Sequence, residues 1–203
     1  LTENMPTRGT ERHAYSHQKA EVERVLHEAL TDAATDAYVF RPCVVAGPGA
    51  PALLDQLPYL RLEHKVPAAA LRLLRRLPAV KPVLPDHGVP FQLVHHDDVA
   101  AALVAGVLGR GRPGVYNLAG SGEVRSSDVA KELGWYSVRI PRGAIDVTAN
   151  VAGRIPPLAV EAGWLEALRV PMLMDCTRAR EQLGWRHAYD GRQTLHELVA
   201  ARR

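Results

Sequence analysis

The sequence predicts an α/β fold with a largely parallel sheet. Three features carry this expectation: short β-branched or aromatic runs that end on glycine, helical stretches with caps and stops between them, and the regular alternation of the two. The chain has 203 residues, 47% hydrophobic and 23% charged, enough for one ordinary domain, or one and a fraction, with a real core. Prolines and glycines stand mostly between periodic segments, and no low-complexity linker or internal repeat interrupts them.

The first element is a helix from Arg12 to Leu30, where Val22, Val25, Leu26, Ala29 and Leu30 recur at helical spacing. Ala37 to Val45 is a β-branched run leading into the Gly47-Pro48-Gly49 turn, and reads as a buried strand. Residues 50 to 80 are rich in leucine and alanine but broken by prolines, so short helices are expected there, with Ala68 to Leu77 the clearest. Phe91 to His95 is extended, and Asp97 or Asp98 is placed to cap a helix from Val99 to Leu108. Gly114 to Gly120 is the next strand, followed by a Ser126/Ser127 cap and a helix from Asp128 to Leu133 that stops at Gly134. Ile145 to Ala167 is an apolar helical region interrupted by proline, and Met172 to Met174 is a short strand. Helices from Thr177 to Leu183 and from Thr194 to Ala201 complete the chain.

Chemistry is concentrated at the first helix. Stepping back from Leu26 and Val22 along the apolar stripe lands on Lys19 and Tyr15, so the spacing predicts a lysine and a tyrosine on a buried face. A buried ammonium needs a partner, and an ammonium beside a phenol favours the phenolate, giving a proton donor and acceptor suited to reversible carbonyl and alcohol chemistry. The alternative is a lysine whose stem packs while its head reaches water.

Other motifs carry less. Gly109-Arg110-Gly111-Arg112-Pro113-Gly114 matches the glycine spacing of a dinucleotide turn, but it follows a helix and precedes a strand, the reverse of the required order, and reads as a loop. His95, His96, Asp97 and Asp98 are all potential metal ligands. Neighbouring residues on a strand point to opposite faces, and capping accounts for the aspartates, so no metal is expected. There is no Gly-x-Ser-x-Gly elbow, which argues against a serine hydrolase.

The net charge of +3 comes from dispersed arginines, and with only 5% aromatic residues a nucleic-acid partner is not expected. Cys43 and Cys176 form no Cys-x-x-Cys pattern and are too few for a disulfide framework, so a reducing, cytoplasmic setting is the expectation. No apolar run approaches membrane-spanning length and no signal peptide is visible, so no membrane partner is expected. The chain starts at Leu1 rather than methionine, and upstream sequence is expected.

Several segments, in order, resemble the C-terminal part of an extended short-chain dehydrogenase/reductase of the NAD-dependent epimerase/dehydratase family. Tyr15-x-x-x-Lys19 resembles its catalytic pair, and Arg41-Pro42 through Gly47-Pro48-Gly49 its Arg-Pro to Gly-Pro segment. Val94 to Ala100 resembles its His-Val-Asp-Asp-Val-Ala stretch, Val115 to Leu118 its Tyr-Asn strand, and Asp175 to Trp185 its helix ending in Leu-Gly-Trp.

The resemblance implies a Rossmann-like domain with an incomplete N-terminal half and a small C-terminal substrate-binding portion. Residues 1–49 would supply the catalytic helix and a strand. Residues 50–203 would supply the remainder, with substrate-binding segments at about 50–90 and 140–203 and a Rossmann-like strand and helix at about 91–134. Tyr15 would be the general acid/base, and Lys19 would assist it and hydrogen-bond the nicotinamide ribose. Pro42, Cys43 and Val44 would line the nicotinamide side of NAD or NADP, and Asp97 and Asp98 would be structural. A small-molecule substrate and a homodimer are also implied.

The implied function is an NAD(P)-dependent oxidoreductase or epimerase/dehydratase acting on a carbonyl or hydroxyl group. The family's Asn after Arg-Pro corresponds to Val44, and its Arg-Asp-Phe to Phe91-Gln92-Leu93, so a sugar nucleotide is one substrate option among several. The alternative is a non-catalytic binding protein or inactive relative without the cofactor-binding half.

Overall fold

The computed structural model describes residues 1–9, 14–57, 59–60, 81–141 and 171–202. The expected helices at Ala68 to Leu77 and Ile145 to Ala167 lie outside the described residues. The elements in chain order are α1 (Ala14–Leu30), β1 (Tyr38–Pro42), β2 (Val44–Ala46), α2 (Ala52–Asp55), β3 (Val83–Asp86), β4 (Leu93–His95), α3 (His96–Val107), β5 (Gly114–Leu118), α4 (Ser126–Leu133), β6 (Tyr136–Arg139), α5 (Thr177–Gln182) and α6 (Gly191–Ala200).

The fold is α/β and Rossmann-like, built on short parallel strand pairs. β1 pairs with β5 in register Tyr38 to Gly114 through Pro42 to Leu118, β2 with β4 from Val44 to Leu93, and β3 with β6 from Val83 to Tyr136. β1 and β2 are successive halves of one strand that bends at Cys43. The Cys43 amide donates to the Leu118 carbonyl (2.9 Å), and the Gly120 amide to the Leu93 carbonyl (2.8 Å), so β5 hands the sheet over to β4 at the bend. The carboxyl ends of β1 and β5 therefore meet at the bend, and those of β2 and β4 lie further along the same direction, at Ala46 and His95.

Alternation along β4 sends neighbours to opposite faces. Leu93 joins a core with Ala46, Leu54, Phe91, Val124, Val129, Leu195 and Leu198, covered by α2, α4 and α6. Val94 joins the other core with Ala102, Tyr116, Leu118, Ala179, Leu183 and Trp185, covered by α3 and α5. Helices on both faces of a parallel sheet are the architecture the alternation predicts. Each fully buried leucine or valine contributes about 1.5–3 kcal/mol.

The structure corrects several local expectations. α1 has no buried residue: Tyr15 is 56%, Val22 60%, Val25 51% and Leu26 38% exposed. The inward face is one residue round, with Ser16, Ala20, Glu23 and Leu30 half-buried. The cause is electrostatic. Arg41 on β1 donates from Nε to Glu23 Oε1 (2.9 Å) and from Nη2 to Glu23 Oε2 (2.5 Å), which fixes the rotation of the helix by a bidentate ion pair rather than by its apolar stripe. An open groove of about 500 Å³, lined by Ala20, Leu26, Leu30, Val39 and Val115 among others, separates α1 from the sheet.

α3 begins earlier than Val99, and neither aspartate caps it. His95 is its N-cap, Nδ1 accepting from the Asp97 amide at 3.3 Å. Asp98 is buried and accepts from the Ala188 amide (2.7 Å) and the Tyr189 amide (3.2 Å), so it anchors the loop after α5. In the same loop, Trp185 Nε1 donates to the Asp98 carbonyl at 2.8 Å. α4 is capped by Asp128, which accepts from the Arg125 amide at 2.8 Å, in place of Ser126 or Ser127. α6 starts at Gly191 because Asp190 accepts from the Arg192 and Gln193 amides, both at 2.8 Å, and Met172 forms only an isolated bridge to Phe91.

Candidate active site

Tyr15 and Lys19 occupy the first turns of α1, on its outward side. A separation of four residues stacks them on one helix face, and Lys19 Nζ lies 5.5 Å from the centroid of the Tyr15 ring. The pair is thus assembled as the sequence predicts, but on the exposed stripe. Both side chains are open to solvent.

Pro42, Cys43 and Val44 form the bend at the carboxyl end of β1. Pro42 closes β1 opposite Leu118, and Val44 opens β2 opposite Leu93. The Cys43 thiol is pushed well up, first by burial and then by Cys176 nearby, so it is held protonated and serves packing rather than nucleophilic chemistry. Both cysteines are free, and burial raises Cys176 as well. The Glu23–Arg41 pair ties α1 to the strand that carries this bend.

The glycine-spaced segment from Gly109 to Gly114 connects α3 to β5, helix to strand, which agrees with its reading as a loop. Phe91, where the resemblance has arginine, is 5% exposed and packed in the core. It offers no charge to a phosphate.

The carboxyl ends of β2 and β4 hold a group that sequence spacing did not assemble. His95 is 1% exposed and stacks on Tyr189 (centroids 3.9 Å, 26°) and against His96 (4.3 Å, 47°). The rings converge because His95 ends a strand and His96 begins a helix, so the opposite-face rule for a continuous strand does not apply. Glu197 of α6 approaches His95 Nε2 at 3.3 Å. The Tyr189 phenol is pushed up, first by the Glu197 carboxylate and then by burial. Nothing in the spacing of Tyr189 and Glu197, about a hundred residues downstream, signals that they meet His95.

The profile of the NAD dependent epimerase/dehydratase family matches residues 1–119, more than half of the chain. The chain belongs to this family. Solved structures agree on the fold. A dTDP-glucose 4,6-dehydratase from Bacillus anthracis in complex with NAD superposes with a TM-score of 0.60 at 20% identity, over 99% of this chain and 55% of that one. A UDP-glucuronic acid 4-epimerase from Bacillus cereus in complex with NAD gives 0.60 at 13% identity, over 99% and 55%. A short-chain dehydrogenase/reductase superfamily protein from Agrobacterium tumefaciens with bound NAD gives 0.60 at 14%, over 100% and 61%. The chain spans little more than half the length of these family structures. None of the curated proteins matches it.

Proposed function

We propose that the chain supplies the acid/base helix and the substrate side of an NAD(P)-dependent oxidoreductase or epimerase/dehydratase acting on a hydroxyl or carbonyl group. The observation that carries this reading is the Tyr15/Lys19 pair, stacked on the accessible face of α1 in a chain that belongs to the family. Family structures solved with NAD, and one from Pseudomonas aeruginosa with NADPH, support the choice of cofactor.

The residues present fit one end of such a cofactor. A ribose needs donors that reach it from solvent, and Lys19 is an exposed three-donor ammonium. A nicotinamide ring needs an apolar wall beside the end of parallel strands, and Pro42, Cys43 and Val44 stand at the bend where β1 and β5 end and β2 begins. The pyrophosphate needs an open glycine turn between strand and helix, whereas the turn the described residues offer there, Gly47-Pro48-Gly49 between β2 and α2, is closed by the rings of His95 and His96. When bound, the nicotinamide accepts or returns a hydride.

In this reading Tyr15 Oη takes the proton of the substrate hydroxyl during oxidation and returns one to the carbonyl during reduction. Lys19 orients the ribose and favours the phenolate by its charge. Pro42, Cys43 and Val44 position the ring by backbone and packing contacts and exclude water from its face. Phe91, buried and uncharged, removes one support for a diphosphate, so a sugar nucleotide is one substrate class beside simpler carbonyl compounds. A homodimer is included in the reading on the support of Val22, Val25 and Leu26, apolar and exposed on α1.

The rival is a non-catalytic binding protein, favoured by the lack of a pyrophosphate cradle among the described residues. Calorimetric titration of the full natural polypeptide with NAD and NADP separates them. Saturable binding, weakened about tenfold or more by Lys19→Met, supports the proposal, and no saturable binding supports the rival.

A further inference from the structure

We propose that His95, His96 and Asp97, with Glu197 behind them, form a site for a divalent transition metal at the carboxyl end of β4, zinc being the ion its donors suit best. One donor atom from each of the three residues lies within 4.8 Å of the others. His95 Nδ1 is 3.5 Å from Asp97 Oδ2, and His96 Nε2 is 3.5 Å from Asp97 Oδ1. Those separations are long for hydrogen bonds. Each is close to the edge of a tetrahedron whose centre lies about 2.0–2.2 Å from nitrogen and oxygen ligands, the bond lengths of zinc, though the two run to different oxygens of Asp97, so a bound ion draws the donors together from within 4.8 Å.

The ring nitrogens remote from Asp97 support the same arrangement. His95 Nε2 and His96 Nδ1 are buried and have no hydrogen-bond partner. Glu197 Oε2 nevertheless stands 3.3 Å from His95 Nε2, without the alignment of a hydrogen bond. A metal-bound imidazole characteristically donates its second N–H to a carboxylate, which fixes the tautomer and strengthens the ligand. Binding at Nδ1 places the proton of His95 on Nε2, where Glu197 can accept it after a small rotation. The bond that Nδ1 gives up is the long one from the Asp97 amide, at 3.3 Å. Two imidazoles and a carboxylate favour zinc, copper or nickel over the all-oxygen shells of calcium and magnesium. His95 and Tyr189 wall the site on the inside, while Asp97, with 62% of its side chain exposed, opens it to solvent for a fourth ligand.

The test uses the chelator-stripped full polypeptide, titrated with Zn²⁺ by calorimetry and with Co²⁺ by visible absorption. The expected result is one Zn²⁺ per chain with tetrahedral Co²⁺ bands, and a zinc-dependent rise in melting temperature. His96→Asn and Asp97→Asn are expected to weaken binding at least tenfold, and Glu197→Gln about 10- to 100-fold. His196→Asn, which alters a histidine paired with Glu132 elsewhere on the surface, is expected to leave binding unchanged. Asp97 is exposed, so its variant keeps the test readable should His96→Asn not fold. No saturable zinc binding to the wild type, affinity retained in Asp97→Asn, or loss in His196→Asn would each overturn the proposal.

Discussion

Replacing Gly47 with alanine probes the packing of the turn over the paired histidines. Gly47 has φ +128, a backbone region that side chains rarely adopt, and an added Cβ would lie 2.5 Å from His96 Nδ1 and 2.8 Å from His95 Nε2. The conformational strain costs about 1–2 kcal/mol. The clash cannot be relieved cheaply, because His95 is stacked between Tyr189 and His96, and overpacking of this kind costs about 1–3 kcal/mol. Gly47→Ala is therefore expected to lose about 2–5 kcal/mol, or about 4–20 °C in melting temperature for a chain of this size. Gly109→Ala is the control, since Gly109 has φ +66 with nothing within 4 Å of its Cβ position and carries strain alone. Urea unfolding of the two variants gives, by difference, the packing contribution together with the extra strain of the rarer angle at Gly47. If Gly47→Ala loses no more than Gly109→Ala, the histidines do not close on the turn as described.

Three other outcomes follow from the fold. Asp98→Asn weakens the acceptor for the Ala188 and Tyr189 amides in a buried site, and is expected to cost about 1–3 kcal/mol by urea unfolding, with faster hydrogen exchange in the loop after α5. Glu23→Gln breaks the bidentate pair with Arg41, and is expected to cost about 1–2 kcal/mol and to loosen α1 more than α3 by hydrogen exchange. His87 is buried with neither ring nitrogen paired, and burial lowers its pKa against the weaker opposing effect of Asp86. The unfolded chain then binds the proton more readily. Stability is fully present above the unfolded value of about 6.5 and is lost as pH falls below it toward the folded value. His87→Phe should flatten the melting temperature between pH 7 and 5.

The strands flanking the bend were legible because Val39, Phe40, Val44 and Val45 form a run that only a sheet buries well, and because glycines close it. β3 and β6 were not legible. Every residue of β6 is exposed, so no alternation marks it, and β3 carries Pro85 within it. The rotation of α1 differs by one residue from its apolar spacing because that spacing and its ion pair point to different faces, and the partner that decides, Arg41, lies outside the helix. The Tyr15/Lys19 pair was legible as a local spacing, whereas its exposure depends on contacts that spacing does not encode. Likewise, the approach of Glu197 and Tyr189 to His95 is a consequence of α6 crossing β4, which no local pattern announces.

The central claim is that Tyr15 is the proton-transferring group. The most direct measurement is NAD(P)H-linked turnover of the full natural polypeptide over a panel of carbonyl substrates, wild type against Tyr15→Phe. Tyr15 is exposed, so the change leaves the fold intact. Loss of general acid/base catalysis predicts a fall in kcat of about 10²- to 10⁴-fold with KM nearly unchanged. A variant that turns over within twofold of the wild type contradicts the claim.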